Sequence, residues 1–132
     1  GPRTGECHDP WYSVIYGECR HNGQTWPYHT ARILAGGAAL LNDYRHHTFF
    51  SREDWVAIFR TYTEIHRNGN MPFVAESHDP DRDCWTELRP IGFHYFHSSY
   101  IDLVISGLVG IRPRRDDILG IKPLGAAEWD CS

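Results

Sequence analysis

The stretch from about Ser98 to Val109 is apolar on nearly every side. A helix of that kind has to be covered all round, inside a large body rather than on its surface. Ser98 or Ser99 is placed to cap it, and Gly107 and Gly110 to end it. Two other stretches carry a helical period. One runs from Pro27, a residue tolerated at the first helical position, to about Tyr44. Its apolar face holds Ala31, Ile33, Leu34, Ala38 and Leu41, and Gly36-Gly37 permits close approach by a neighbour. The other begins at Ser51, with Asp54 three residues on and Phe50 placed to staple against Trp55. Trp55, Ile58, Phe59, Tyr62, Ile65 and His66 then recur at three-four spacing until Asn68-Gly69-Asn70.

Two such helices cannot cover a third that is apolar all round. The segments around them are also long. Residues 1–25 hold no period, and Pro72, Pro80 and Pro90 break residues 70–96. Helix connections in self-contained bundles run to roughly 2–8 residues. The chain is therefore expected to be mainly α, with about three helices and long loops, taken from a larger helical body. Met71 to Ala75 is expected to be extended, and Ile118 to Pro123 to form a short strand.

Composition narrows the function. Hydrophobic residues make up 41% of the 132 positions, enough to build a core. A net charge of −4 with no dense Lys/Arg cluster speaks against nucleic acid as a partner. The one basic run, Arg112-Pro113-Arg114-Arg115, is cancelled at once by Asp116 and Asp117 and reads as a solvated loop. The longest apolar stretch, near Ile101 to Ile111, is too short to span a bilayer, so no membrane is expected. The four cysteines, at 7, 19, 84 and 131, contain no CxxC. They read as free thiols rather than a zinc site, with a disulfide open if the protein is exported. No signal peptide is visible, and since the chain does not begin with Met its native start is expected upstream.

Three stretches carry side chains suited to chemistry. Asn22-Gly23-Gln24-Thr25-Trp26-Pro27-Tyr28-His29-Thr30 runs straight into a helix N-terminus. A sugar could stack on Trp26 and hydrogen-bond Asn22 or Gln24; equally, Trp26 could be the staple of a helix start fixed by Pro27. In Phe73-Val74-Ala75-Glu76-Ser77-His78-Asp79-Pro80 a single acid follows an apolar run. Partial desolvation would raise its pKa and suit it to acid/base work, although a plain loop carboxylate fits the local sequence better. Phe93-His94-Tyr95-Phe96-His97-Ser98-Ser99-Tyr100 places two His three apart. A third ligand at useful spacing is missing, Asp102 being the nearest option, so no metal is expected and a neutral hydrogen-bonding or packed His is favoured. No GxSxG elbow and no phosphate-binding glycine loop occurs.

In this order the stretches resemble the C-terminal part of an (α/α)6-barrel, or six-hairpin, glycoside hydrolase. The likeness is to the group around glycoside hydrolase family 63 and the mannosylglycerate-hydrolase-like enzymes. The motif N-G-x-x-W-P-[YF]-x-T is met by Asn22 to Thr30. A helix with a D-[WY] start and a late Y-T is met by Asp54-Trp55 and Tyr62-Thr63. E-x-Y-x-[PE] is met by Glu76 to Pro80, with His78 in place of Tyr. The long run H-S-x-[YF]-x-D-L-V-I-x-G-L-x-G-[IL]-R-P-R is met from His97 to Arg114, and Pro123-Leu124 with Trp129 fits the P-L ending. His21 stands where relatives often have Trp.

The resemblance implies that residues 1–132 are a partial C-terminal portion of an (α/α)6 catalytic domain, whose N-terminal part is its structural partner. It implies an inverting hydrolase acting on an oligosaccharide or glycoside, with no cofactor. Glu76 would be the general base, and an Asp upstream of Gly1 the general acid. Asn22, Trp26, Tyr28, His78 and His97 become the substrate-contact candidates. The competing expectations are a non-catalytic carbohydrate-binding protein on the same helices and a self-sufficient helical interaction domain.

Overall fold

The computed structural model describes residues 2–18, 20–44 and 48–125. Regular structure is mainly helical, in agreement with a piece of an α/α toroid. The elements are α1 (Pro27–Asp43), α2 (Arg52–Glu64), β1 (Arg67–Asn68), β2 (Met71–Pro72), a 3-10 turn at Pro90–Gly92, α3 (Tyr100–Leu103), a π-helical continuation at Val104–Leu108, β3 (Ile111–Arg112) and β4 (Gly120–Ile121). The chain divides into two compact units, Gly1–Thr30 with Thr61–Ser98 and Ala31–Arg60 with Ser99–Ser132.

The second unit is built around Trp55. The start of α2 closes as a capping box: the Ser51 N–H donates to Asp54 Oδ2 at 2.9 Å, and the Asp54 N–H donates to Ser51 Oγ at 3.1 Å. Donation from the Ser51 N–H and from its hydroxyl holds the Asp54 carboxyl below its ordinary value. Trp55 is fully buried, stacks on Phe59 with ring centroids 5.0 Å apart, and donates its indole N–H to the Leu34 carbonyl at 2.8 Å. Phe59 stacks in turn on Tyr100 at 5.5 Å. A Cβ on Gly37 would lie 2.7 Å from Phe50 and 3.3 Å from Trp55, so this glycine permits the close approach anticipated from the pair. Gly36 has nothing near it. Ala31, Leu34 and Ala38 are buried as expected, whereas Ile33 is exposed.

The third helix differs from its expected form in three ways. It is α-helical only at Tyr100–Leu103 and continues as a π-helix, with the Val109 N–H bonded to the Val104 carbonyl at 2.9 Å. Gly107 lies inside that π turn rather than at its end, and a Cβ there would come 2.7 Å from Trp55. Ser99 precedes the helix in a left-handed conformation (φ 47°) with no capping bond from its hydroxyl. Leu103 and Gly107 are buried, but Ile101, Ile105 and Val109 are exposed. The all-round apolar pattern is therefore covered on one side only by the described residues.

The expected strand near the C-terminus is β4. It pairs antiparallel with β3, Ile111 opposite Ile121 and Arg112 opposite Gly120. The following residues seal the helix end, because Leu124 and Gly125 donate their N–H groups to the Gly107 and Leu108 carbonyls at 3.1 and 3.2 Å. The basic run begins at half-buried Arg112 in β3 and passes into an exposed loop at Pro113 to Arg115. Arg112 pairs with Asp43 at 2.7 Å, and Arg114 with Asp116.

The first unit is a set of loops cross-linked by short pairings. β1 and β2 form a hairpin turning at Gly69, whose φ of +58° suits a residue without a Cβ. Isolated bridges join Thr25 to His78, Ala75 to Phe93 and His78 to Trp85. Tyr62 is buried, and its hydroxyl donates to the Pro27 carbonyl at 3.1 Å and contacts the Ser98 carbonyl. Cys7 and Cys84 are free thiols; Cys19, Cys131 and Trp129 lie outside the described residues.

Candidate active site

The bridges of the first unit bring the three chemistry-bearing stretches together. Thr25 and His78 exchange both main-chain hydrogen bonds, at 2.9 and 2.8 Å, which ties the Asn22–Thr30 stretch to the Phe73–Pro80 stretch. The Glu76 N–H donates to the Gly92 carbonyl at 3.0 Å and the His94 N–H to the Val74 carbonyl at 2.7 Å, which ties in the third. His97 Nε2 then lies 3.2 Å from the Glu76 carbonyl oxygen. Its ring stands edge-on to Trp26, centroids 6.4 Å apart. Glu76 is thus anchored through its main chain on two sides, with its side chain 20% exposed.

The other expected site residues differ in how available they are. Tyr28 is exposed and rests edge-on against His29, centroids 5.6 Å apart. Trp26 is buried: His21 stacks on its ring at 4.2 Å, and its indole N–H donates to the Arg20 carbonyl at 3.3 Å. The exposed aromatic surface at that point is His21. Asn22 donates from Nδ2 to the Trp11 carbonyl at 2.9 Å and to Ser13 Oγ at 3.2 Å, while its Oδ1 is buried with no protein partner. Gln24 is fully buried and donates to the Ile15 and Glu18 carbonyls at 3.0 and 3.1 Å, holding the irregular N-terminal loop.

His78 is also buried. Its Nδ1 lies 2.7 Å from the Asp79 carbonyl and its ring stands edge-on to Trp85 at 5.0 Å. Asp79 beside it accepts from the Tyr16 hydroxyl at 2.6 Å and from the Asp81 and Arg82 N–H groups at 2.8 and 2.9 Å. Burial would raise the Asp79 carboxyl, but these donors outweigh burial and hold it below its ordinary value. His94 packs against Phe73 at 5.2 Å. Among the described residues no group of three or more His, Cys, Asp or Glu is placed to hold a metal ion. No helix among them is long and apolar enough to cross a membrane.

Sequence reasoning passed over two residues beside Glu76. Glu87 is buried, and Arg89 folds back onto it, donating from its main-chain N–H at 2.6 Å, from Nε at 3.0 Å and from an Nη at 2.8 Å. The same guanidinium stands 3.9 Å from Glu76 Oε2. An acid and a base two apart before Pro90 give no periodic signal, so nothing local marks the pair. A cavity of about 350 Å³ in this unit has Phe73, Trp85, Phe93, Arg67, Asp83 and Glu87 in its wall, but not Glu76.

Burial pushes the imidazoles of His66 and His78 below their ordinary value of 6.5. Burial, and then the neighbouring His21 and His97, do the same to His29. Below that pH the unfolded chain takes up protons that these folded positions resist. The stability they contribute is therefore complete above about pH 6.5 and is lost as pH falls through 6.5 toward the folded-state values. The Tm of the full-length protein is expected to be level from pH 8 to 7 and to fall between pH 6.5 and 5. A Tm that rises on acidification would contradict this.

Three loops of the first unit thus bring together a carboxylate, imidazoles and aromatic rings. Residues 1–98 match the family model described as the mannosylglycerate hydrolase MGH1-like glycoside hydrolase domain, and the chain belongs to that family. A solved structure described as a sialidase superimposes with a TM-score of 0.82 at 30% sequence identity. The superposition covers 93% of this chain and 12% of that one, so the chain spans a small part of that structure's length. No curated protein matches the chain. The run from His97 to Arg114 that most marked the resemblance lies almost wholly beyond the residues the family model matches.

Proposed function

We propose that these 132 residues carry the general-base half of an inverting glycoside hydrolase site, with Glu76 as the base. The observation that supports this best is the anchoring of Glu76: main chain bound to Gly92, His97 against its carbonyl, side chain 20% exposed. A base needs a fixed direction and access to one water, and a partly exposed carboxylate on a doubly tethered main chain has both. Ionised Glu76 would take a proton from a water on one face of the sugar ring. A carboxylic acid about 6.5–9.5 Å away would protonate the leaving oxygen from the other face. We place that acid outside these residues, since none of them matches its motif, and we read the whole as the C-terminal portion of an (α/α)6 domain.

Tyr28 is the most accessible of the proposed substrate contacts, and His97 is half-buried beside Glu76. Trp26, His78 and Asn22 act from behind them: Trp26 backs the exposed His21 ring, the His78 main chain pairs with Thr25, and Asn22 holds Trp11 and Ser13 of the N-terminal segment. The substrate class is an oligosaccharide or glycoside, and no metal or cofactor enters the mechanism.

The test is incubation of the full-length protein with α- and β-linked hexosides, with the first-formed anomer followed by 1H NMR. Release of sugar with inverted configuration is expected. Retained configuration would overturn the base assignment, and tight binding without hydrolysis would favour a lectin-like role on the same framework.

A further inference from the structure

The loop that leads into α1 lays one ring over another. Trp26 is buried, and its indole N–H donates to the Arg20 carbonyl at 3.3 Å, which closes the loop from Arg20 to Trp26. His21 follows Arg20 directly and stacks on the indole, with ring centroids 4.2 Å apart and planes 14° apart. One face of the imidazole is thereby covered, and since His21 is exposed its other face is turned to solvent. The backing is itself fixed. The Trp26 carbonyl accepts from the Thr30 N–H at 3.0 Å and from the Thr30 hydroxyl at 3.2 Å, in the first turn of α1. Thr25 before it is tied to His78 through both main-chain groups. An exposed side chain normally keeps its rotamer freedom. Stacking on Trp26 restricts that freedom, so little ordering is left for a ligand to impose.

Two further imidazoles stand around the same indole. His29 lies edge-on to it at 6.1 Å and tilted against His21 at 5.7 Å, and His97 lies edge-on to it at 6.4 Å. His97 in turn has Nε2 3.2 Å from the Glu76 carbonyl oxygen. His21 thus belongs to the ring cluster that touches the Glu76 main chain. A sugar ring has an apolar C–H face and a rim of hydroxyls. It suits a flat side chain whose face is apolar and whose edge carries nitrogens, because the faces stack while a nitrogen hydrogen-bonds a rim hydroxyl. Trp26, buried with its N–H already donated, presents neither. We propose that His21 is the stacking residue for a hexopyranose unit of the substrate, and that its ring edge discriminates among hexoses by their hydroxyls. The inference rests on the first unit taking a sugar, as the proposed function requires. A phenyl ring in its place would keep the stacking face and lose the hydrogen bond, and a methyl group would lose both.

The experiment compares the full-length protein with its His21→Phe and His21→Ala variants on p-nitrophenyl gluco-, manno- and galactopyranosides of both anomers. Hydrolysis gives kcat and KM, and titration calorimetry gives Kd. His21→Ala is expected to raise KM and Kd for the preferred hexoside by about 10-fold, the size of one exposed hydrogen bond and one ring contact together, with kcat changed less than about 2-fold. His21→Phe is expected to lie between that variant and the wild type and to narrow the preference among the three hexoses. If His21→Ala does not fold, His21→Phe, which can still stack on Trp26, carries the test. Hydrolysis with KM and Kd unmoved in the folded variants overturns the role of His21 and leaves the glycosidase reading standing. Binding without hydrolysis overturns the glycosidase reading, and the Kd ratio of variant to wild type then decides the role of His21. Failure of every hexoside to bind overturns both.

Discussion

On the proposed base role, replacement of Glu76 by Gln in the full-length protein is expected to lower kcat by about 10²–10⁴-fold, the range a general base contributes. Gln keeps the length of the side chain and removes only its capacity to take a proton. The two main-chain anchors, to Gly92 and to His97, do not involve the carboxylate and should persist. Tm and the circular dichroism spectrum are therefore expected to match the wild type, and KM to change little. A variant that keeps more than about a tenth of wild-type kcat would remove Glu76 from the base role, because even a weak general base contributes more. Loss of activity together with a lowered Tm would instead mark Glu76 as structural.

Trp55→Ala is expected to be the most damaging single change to the second unit, at about 3–5 kcal/mol of stability. The indole is fully buried, stacks on Phe59 and donates to the Leu34 carbonyl. The ring fills the space a Cβ would need at Gly107, and at Gly37 it shares that role with Phe50, which lies closer. Truncation would leave a cavity bordered by two glycines that have no side chain to move into it. Urea unfolding of the full-length protein, followed by hydrogen exchange at α1 and α2 amides, reads the loss locally. A cost under about 1 kcal/mol would show that the site collapses onto the gap and that the ring is not the centre of this core.

Much of the fold was legible in the sequence because its signals are local. The Ser51–Asp54 capping box, the proline opening α1 and the three-four spacing of Trp55, Phe59 and Tyr62 act over one or two turns, and they appear where those rules put them. Local rules failed where neighbours intervene. The π turn at Val104–Leu108 carries no pattern of its own, and it coincides with the packing of Gly107 against Trp55. Ile33 follows the apolar stripe of α1 yet is exposed, because a periodic pattern does not say which part of a stripe will be covered.

The sequence by itself determined α1, α2 and the order of the three loop motifs, and its family resemblance made Glu76 the carboxylate to watch. Tertiary structure alone decided that the loops converge, because the pairings of Thr25 with His78 and of Ala75 with Phe93 join segments with no shared period. It decided which aromatic ring is exposed, burying Trp26 beneath His21 and leaving Tyr28 accessible. It also placed Glu87 and Arg89 beside Glu76. Hydrophobic period is written into neighbouring residues, whereas the direction and charge of a loop carboxylate depend on which distant main-chain and side-chain groups the fold sets against it.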